Sequence, residues 1–160
     1  MSDEAATTTA PTSTTPGRWQ GPAVAGIAGA AAMALLVSLM NPPTLAVAIP
    51  GLYGLAPPAN GVLGWVVHLS HGAVFGVGFA ALARGVGVDC ETSPRSVVAG
   101  LAYGVGVWVV AAGLLMPVWL RVVGFPSPPP VPNFAPPSLL WHAVFGVVLG
   151  AVYPTAVEAL

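Results

Sequence analysis

Four stretches of the chain run without a single Asp, Glu, Lys or Arg, at roughly 21–40, 61–83, 96–120 and 138–157. Each reaches the ~20 residues that, at ~1.5 Å per residue, carry a helix across a hydrocarbon layer of ~30 Å. The pattern therefore predicts an all-α polytopic membrane protein with four transmembrane helices. Glycine is frequent inside these stretches. It costs stability in soluble helices, but membrane helices use it to bring neighbouring backbones close.

The segments between the spans differ from one another. Residues 1–20 are rich in Thr, Ser, Ala and Pro and read as a disordered cytoplasmic tail, with Trp19 beside Arg18 as an interfacial anchor. Residues 21–157 form the transmembrane domain. The second and third spans are joined by a short loop holding Arg84, Asp89, Glu91 and Arg95. The other two connections, 41–60 and 121–137, are long, Pro-rich and nearly uncharged, too apolar for ordinary solvated loops; they are expected to lie in the interface or dip back toward the bundle.

Composition narrows the function classes. Only 6% of the 160 residues are charged and 56% are hydrophobic, whereas soluble domains carry roughly a quarter charged residues. Four scattered Arg and no Lys cannot neutralise a run of phosphates, so nucleic acid is excluded as a partner. One cysteine excludes a disulfide framework and a thiolate zinc cluster. Near the span ends, Arg18, Arg84 and Arg95 mark one side and Arg121 the other, which predicts a multi-pass protein of the cell membrane with both termini cytoplasmic.

An internal match organises the spans further. A shift of 74 residues lays Ala25-Gly26-Ile27-Ala28 on Ala99-Gly100-Leu101-Ala102. The same shift lays His68, Gly72, Gly76 and Phe79 on His142, Gly146, Gly150 and Tyr153. The chain is thus expected to be two tandem two-helix hairpin repeats entering the membrane in the same orientation. Ala46-Val47-Ala48 fits a signal-cleavage pattern, but cleavage would leave the third span without its counterpart, so the first span is retained.

At a period of ~3.6, His68, Gly72 and Gly76 fall along one stripe of the second span, and His142, Gly146 and Gly150 along one stripe of the fourth. Gly72, Gly76, Gly146 and Gly150 are read as helix-packing residues, with the second span expected against the fourth. The histidines carry two readings. In one, His68 and His142, with His71 nearby, hold haem b or a metal ion, since neutral imidazole is the commonest metal ligand and small neighbours leave room for a macrocycle. In the other they are interhelical hydrogen-bonding groups, and no cofactor is present. Their suggested partners are then Ser70, Tyr103, Tyr153 or a carbonyl freed by Pro154, a proline expected to kink or end the last span.

AGIAGAAAMALL, GWVVHLSHGAVFGVGFA, AGLAYGVGVWVVAAGLLMPV and HAVFGVVLGAVY together resemble a family of small four-span integral membrane proteins of uncharacterised function common in halophilic archaea. The resemblance implies the class and supplies no site residues. The expected function is a structural, binding or accessory component with no enzymatic activity, alone, as a homo-oligomer or within a larger membrane complex. The alternative is a haem- or metal-binding electron-transfer or ion-handling subunit.

Overall fold

The computed structural model describes residues 19–88, 90 and 93–160. The predicted tail, up to position 18, and the loop carboxylates Asp89 and Glu91 lie outside the described residues. Four helices are long and apolar enough to cross a membrane: α1 (Gln20–Met40), α3 (Gly61–Gly85), α4 (Ser93–Val122) and α5 (Pro136–Ala159). Between α1 and α3 lies a short fifth helix, α2, π-helical over Thr44–Ala48 and α-helical over Ile49–Gly51. The first connection is therefore folded back on the bundle, with Leu45, Ile49 and Pro50 buried. Pro154 does not end the last helix, which continues to Ala159. It removes one N–H, a loss that membrane helices tolerate.

The helices pack as a curved row, α3 on α1, α1 on α5 and α5 on α4. Small residues explain why α1 holds the middle. One of its edges carries Pro22, Gly26 and Ala30 toward α3; a Cβ on Gly26 would collide with the Gly72 carbonyl and stand 2.8 Å from Gly76 Cα. Its other edge carries Gly21, Ala25 and Gly29 toward α5. A Cβ on Gly21 would lie 2.7 Å from the Ala156 carbonyl oxygen, and one on Gly29 2.6 Å from that of Phe145. Ala25, between them, is fully buried.

The same close approach joins α4 to α5. A Cβ on Gly100 would collide with the Gly146 carbonyl and one on Gly150 with that of Ser96, while Gly104 lies against Gly146 and the His142 carbonyl. The glycine stripes of the second and fourth spans thus face the first and third spans, not each other. The expected contact of second span on fourth is made instead by aromatic rings. Phe79 and Tyr153 meet edge to face at 5.1 Å between centroids, and Phe75 and Phe145 at 6.4 Å. A stripe of glycines signals that some backbone comes close, but it does not name which one.

Two prolines shape the end of the bundle that carries the long connections. Pro50 and Pro117 have no N–H to return to the carbonyls four residues earlier, those of Ala46 and Gly113. These two carbonyls accept instead from the backbone N–H of Asn60 and Asn133, each at 2.8 Å. Immediately before each proline the helix widens into a π segment, Thr44–Ala48 in α2 and Trp108–Leu115 in α4. The freed carbonyls hold the two connections onto the helices, as burial away from water requires. At the opposite end α3 closes through Gly87, whose φ of 72° lets Val88 N–H reach the Ala83 carbonyl at 2.9 Å.

Lipid-facing surface is plain on α3, where Val62, Val66 and Val74 are each more than half exposed. Isolated apolar residues in such number would be unfavourable in water and suit a hydrocarbon surround.

Candidate functional site

The bundle is hollow at the end that carries the long connections. A cavity of about 1060 Å³ lies between α1, α3, α4 and α5, capped by α2 and the segment after α4. This is at the upper edge of the ~300–1,000 Å³ usual for small-molecule pockets. Both π segments contribute wall residues, Thr44, Val47 and Ala48 from one and Ala111, Ala112 and Leu115 from the other. Widened turns of this kind are frequent at functional sites. Among the described residues that line the cavity there is no Asp, Glu, Lys or Arg.

All three histidines reach this cavity, in three different states. His68, on α3, is 8% exposed, and its Nε2 has no hydrogen-bond partner. His142, on α5, is equally buried, and its Nδ1 lies 2.7 Å from the Ser138 carbonyl oxygen of its own helix. A carbonyl only accepts, so Nδ1 carries the proton and Nε2 the lone pair. His71 is committed elsewhere, with Nε2 2.7 Å from the Tyr53 hydroxyl and the two rings stacked at 5.8 Å.

None of these bonds is made to the partners expected from the sequence. Ser70 donates to the Val66 carbonyl of its own helix, and Tyr103 donates to the Phe75 carbonyl at 2.9 Å. His142 bonds within α5, so it ties no two helices together. Among the described residues no three His, Cys, Asp or Glu side chains gather as a metal site, and His71 faces Tyr53 instead of completing one with His68 and His142. Arg121 is exposed and donates to the carbonyl of Pro129 at 3.3 Å; Pro129 lines the cavity, Arg121 does not.

A second cavity, of about 540 Å³, runs along the seam between α3 and α4. Its wall is apolar apart from the Tyr103 hydroxyl, and it shares Phe75, Val107 and Ala111 with the first. Tyr103 stands in this seam, its hydroxyl 2.9 Å from the Phe75 carbonyl and its ring 5.4 Å from that of Phe79. The phenol therefore props α4 away from α3 while bonding to it.

Sequence reasoning found His68, His71 and His142 but not the cavity or the role of Tyr103. A signal for the cavity was present in the chain: Pro50 and Pro117 each stand within an apolar run and are followed by an Asn that later supplies the missing donor. Comparison with protein-family models, with curated proteins and with solved structures returns no match.

Proposed function

We propose that the chain is a multi-pass binding component of the cell membrane, not an enzyme, and that its histidine-lined cavity receives a lipid-soluble molecule on the outer side. The observation that carries this reading is the cavity of about 1060 Å³, which all three histidines reach and which has no charged side chain among the described residues that line it. Support for cytoplasmic termini comes from the sequence, in which Arg18, Arg84 and Arg95 adjoin span ends on one side and Arg121 alone on the other.

The chain is further read as two tandem hairpins. Support comes from matching contacts at the constant offset of 74: Gly26 against Gly72 and Gly76, Gly100 against Gly146 and Gly150, and the carbonyls of Pro22 and Ser96 against Gly76 and Gly150. Such a repeat relates its halves by a pseudo-two-fold axis along the membrane normal. His68 and His142 would then be equivalent positions lining one shared cavity.

The test is extraction with organic solvent of protein purified in mild detergent, followed by mass spectrometry. A lipid-soluble molecule is expected in near-stoichiometric amount, and it should be reduced in Ala112→Trp, whose indole would project into the cavity. Wild-type protein that carries nothing more than Ala112→Trp contradicts the reading.

A second reading has one specific observation behind it. His68 and His142 are both buried and both line one cavity, and imidazole is a common axial ligand of haem. The uncharged wall opposes it, because two propionates would find no cation there. Titration with haem decides: a Soret band that disappears in both His68→Leu and His142→Leu would establish the haem.

A further inference from the structure

We infer that the α3–α4 cleft is a lipid site: it holds one hydrocarbon chain of a phospholipid from the leaflet on the side of the short charged loop, with the lipid phosphate at the level of Arg84. This goes beyond the reading of the histidine cavity and is independent of it.

The cleft begins where α3 ends and reaches the middle of the bundle. Its walls run from Val88 and Val86 back to Phe75 on one side and from Ala99 to Ala111 on the other. At ~1.5 Å per residue the helical parts of these walls extend about 15 Å along α3 and about 18 Å along α4, close to half of a hydrocarbon layer of ~30 Å. The depth is thus that of one leaflet. Leu82, Val86 and Val110 line the cleft and are each more than half exposed, so it is continuous with the lipid-facing surface of the bundle.

Width and polarity select the occupant. Tyr103 bridges the two helices with a single side chain, its hydroxyl 2.9 Å from the Phe75 carbonyl oxygen. A helix with its side chains is ~10–12 Å across, so neither a partner helix nor a second copy of the chain fits between helices bridged in this way. Water is poorly held as well. An enclosed water needs about two to four polar partners, and the one polar side-chain atom on this wall, the Tyr103 hydroxyl, already donates to Phe75. A hydrocarbon chain is thin, asks for no hydrogen bond and is supplied by the surrounding bilayer.

Charge fixes the class of lipid. Arg84 lies on the last turn of α3, exposed, between Ala83 and Val86, which both line the cleft. A guanidinium at the end of a membrane helix, where the chain would leave the cleft for its headgroup, complements a lipid phosphate.

The experiment takes the full chain in nanodiscs of a single phosphatidylglycerol, releases it in the mass spectrometer and counts the lipids it retains. One phospholipid per chain is expected to predominate. Gly106 lines the cleft, and a Cβ there meets nothing within 4 Å, so Gly106→Phe should fold; Ala102→Leu, also on the wall, is a smaller intrusion. Each is expected to cut retention about tenfold, the effect of keeping about two methylenes out of the cleft. Gly61→Leu, equally unobstructed but at the opposite end of α3, should leave retention unchanged. Arg84→Gln should lower it about fivefold. Wild-type protein that emerges bare, or retention unchanged in both cleft variants, overturns the site. Retention lost in Ala112→Trp but kept in the cleft variants places the lipid in the histidine cavity and likewise overturns it. Retention unchanged in Arg84→Gln overturns the role of the phosphate.

Discussion

The seam between α1 and α5 is closed, whereas the seam between α4 and α3 is hollow. On the closed side α1 presents Gly21, Ala25 and Gly29, and the backbones approach until a single added methyl on either glycine would strike a carbonyl of α5. At the positions 74 residues later α4 presents Arg95, Ala99 and Tyr103. Where Gly29 meets Phe145 and Leu149, Tyr103 reaches across to Phe75 with its hydroxyl. A side chain of phenol size stands between α4 and α3, where α1 meets α5 with a glycine, and beside it lies about 540 Å³ of apolar space. Glycine content alone therefore does not set packing in this bundle. What matters is whether each small residue is matched by another across the seam.

The largest effect is expected from giving the closed seam the residue of the open one. Gly29→Tyr is expected to cost more than about 3 kcal/mol, because the ring would meet the Phe145 backbone with no room to turn. Thermal unfolding in detergent would register it as failure to fold or a large loss of Tm. The reverse change, Tyr103→Ala, should cost about 2–3 kcal/mol, since it removes a half-buried ring packed on Phe79 as well as the hydrogen bond to Phe75. Tyr103→Phe separates these parts and should cost only about 1 kcal/mol, the bond alone, while the seam stays open.

A subtler pair tests the proline arrangement that shapes the hollow end. Asn133 donates to the Gly113 carbonyl through its backbone, so Asn133→Pro should destabilise by about 1–2 kcal/mol while Asn133→Ala changes less than about 0.5. Equal effects of the two substitutions would assign the role to the side chain instead.

The smallest expected effect is the most specific. His68→Leu should leave the ligand-free protein as stable as wild type or slightly more so, because it removes a buried nitrogen without a partner. A loss of more than about 1 kcal/mol would mean that the imidazole is structural.

The spans were legible in the sequence almost to their ends. The first was read as 21–40 and runs Gln20–Met40, and the fourth was read as 138–157 and runs Pro136–Ala159. Continuous apolar text of membrane length leaves little else for the backbone to do. The three histidines were legible as well, because buried polar groups stand out against such text. Their bonding was not. Whether His142 turns Nδ1 to Ser138 or to another helix depends on rotamer and local geometry, which spacing does not encode. Helix pairing was misread for a related reason. The stripe of Gly72 and Gly76 is equally compatible with any close backbone, and the residue that decides the matter, Tyr103, acts by size at a position where the sequence pattern shows only one more aromatic.

The account rests most directly on the α3–α4 seam being open to apolar molecules while the α1–α5 seam is not. Wild-type protein in bilayers containing a phospholipid with a mid-chain diazirine can be photolysed and its adducts mapped by mass spectrometry. Adducts are expected on Ala99, Ala102 and Val110, which line the α3–α4 cleft, and none on Ala25 or Gly29 in the closed seam. Equal labelling of Ala99 and Ala25, or no labelling within the α3–α4 cleft, would contradict the account.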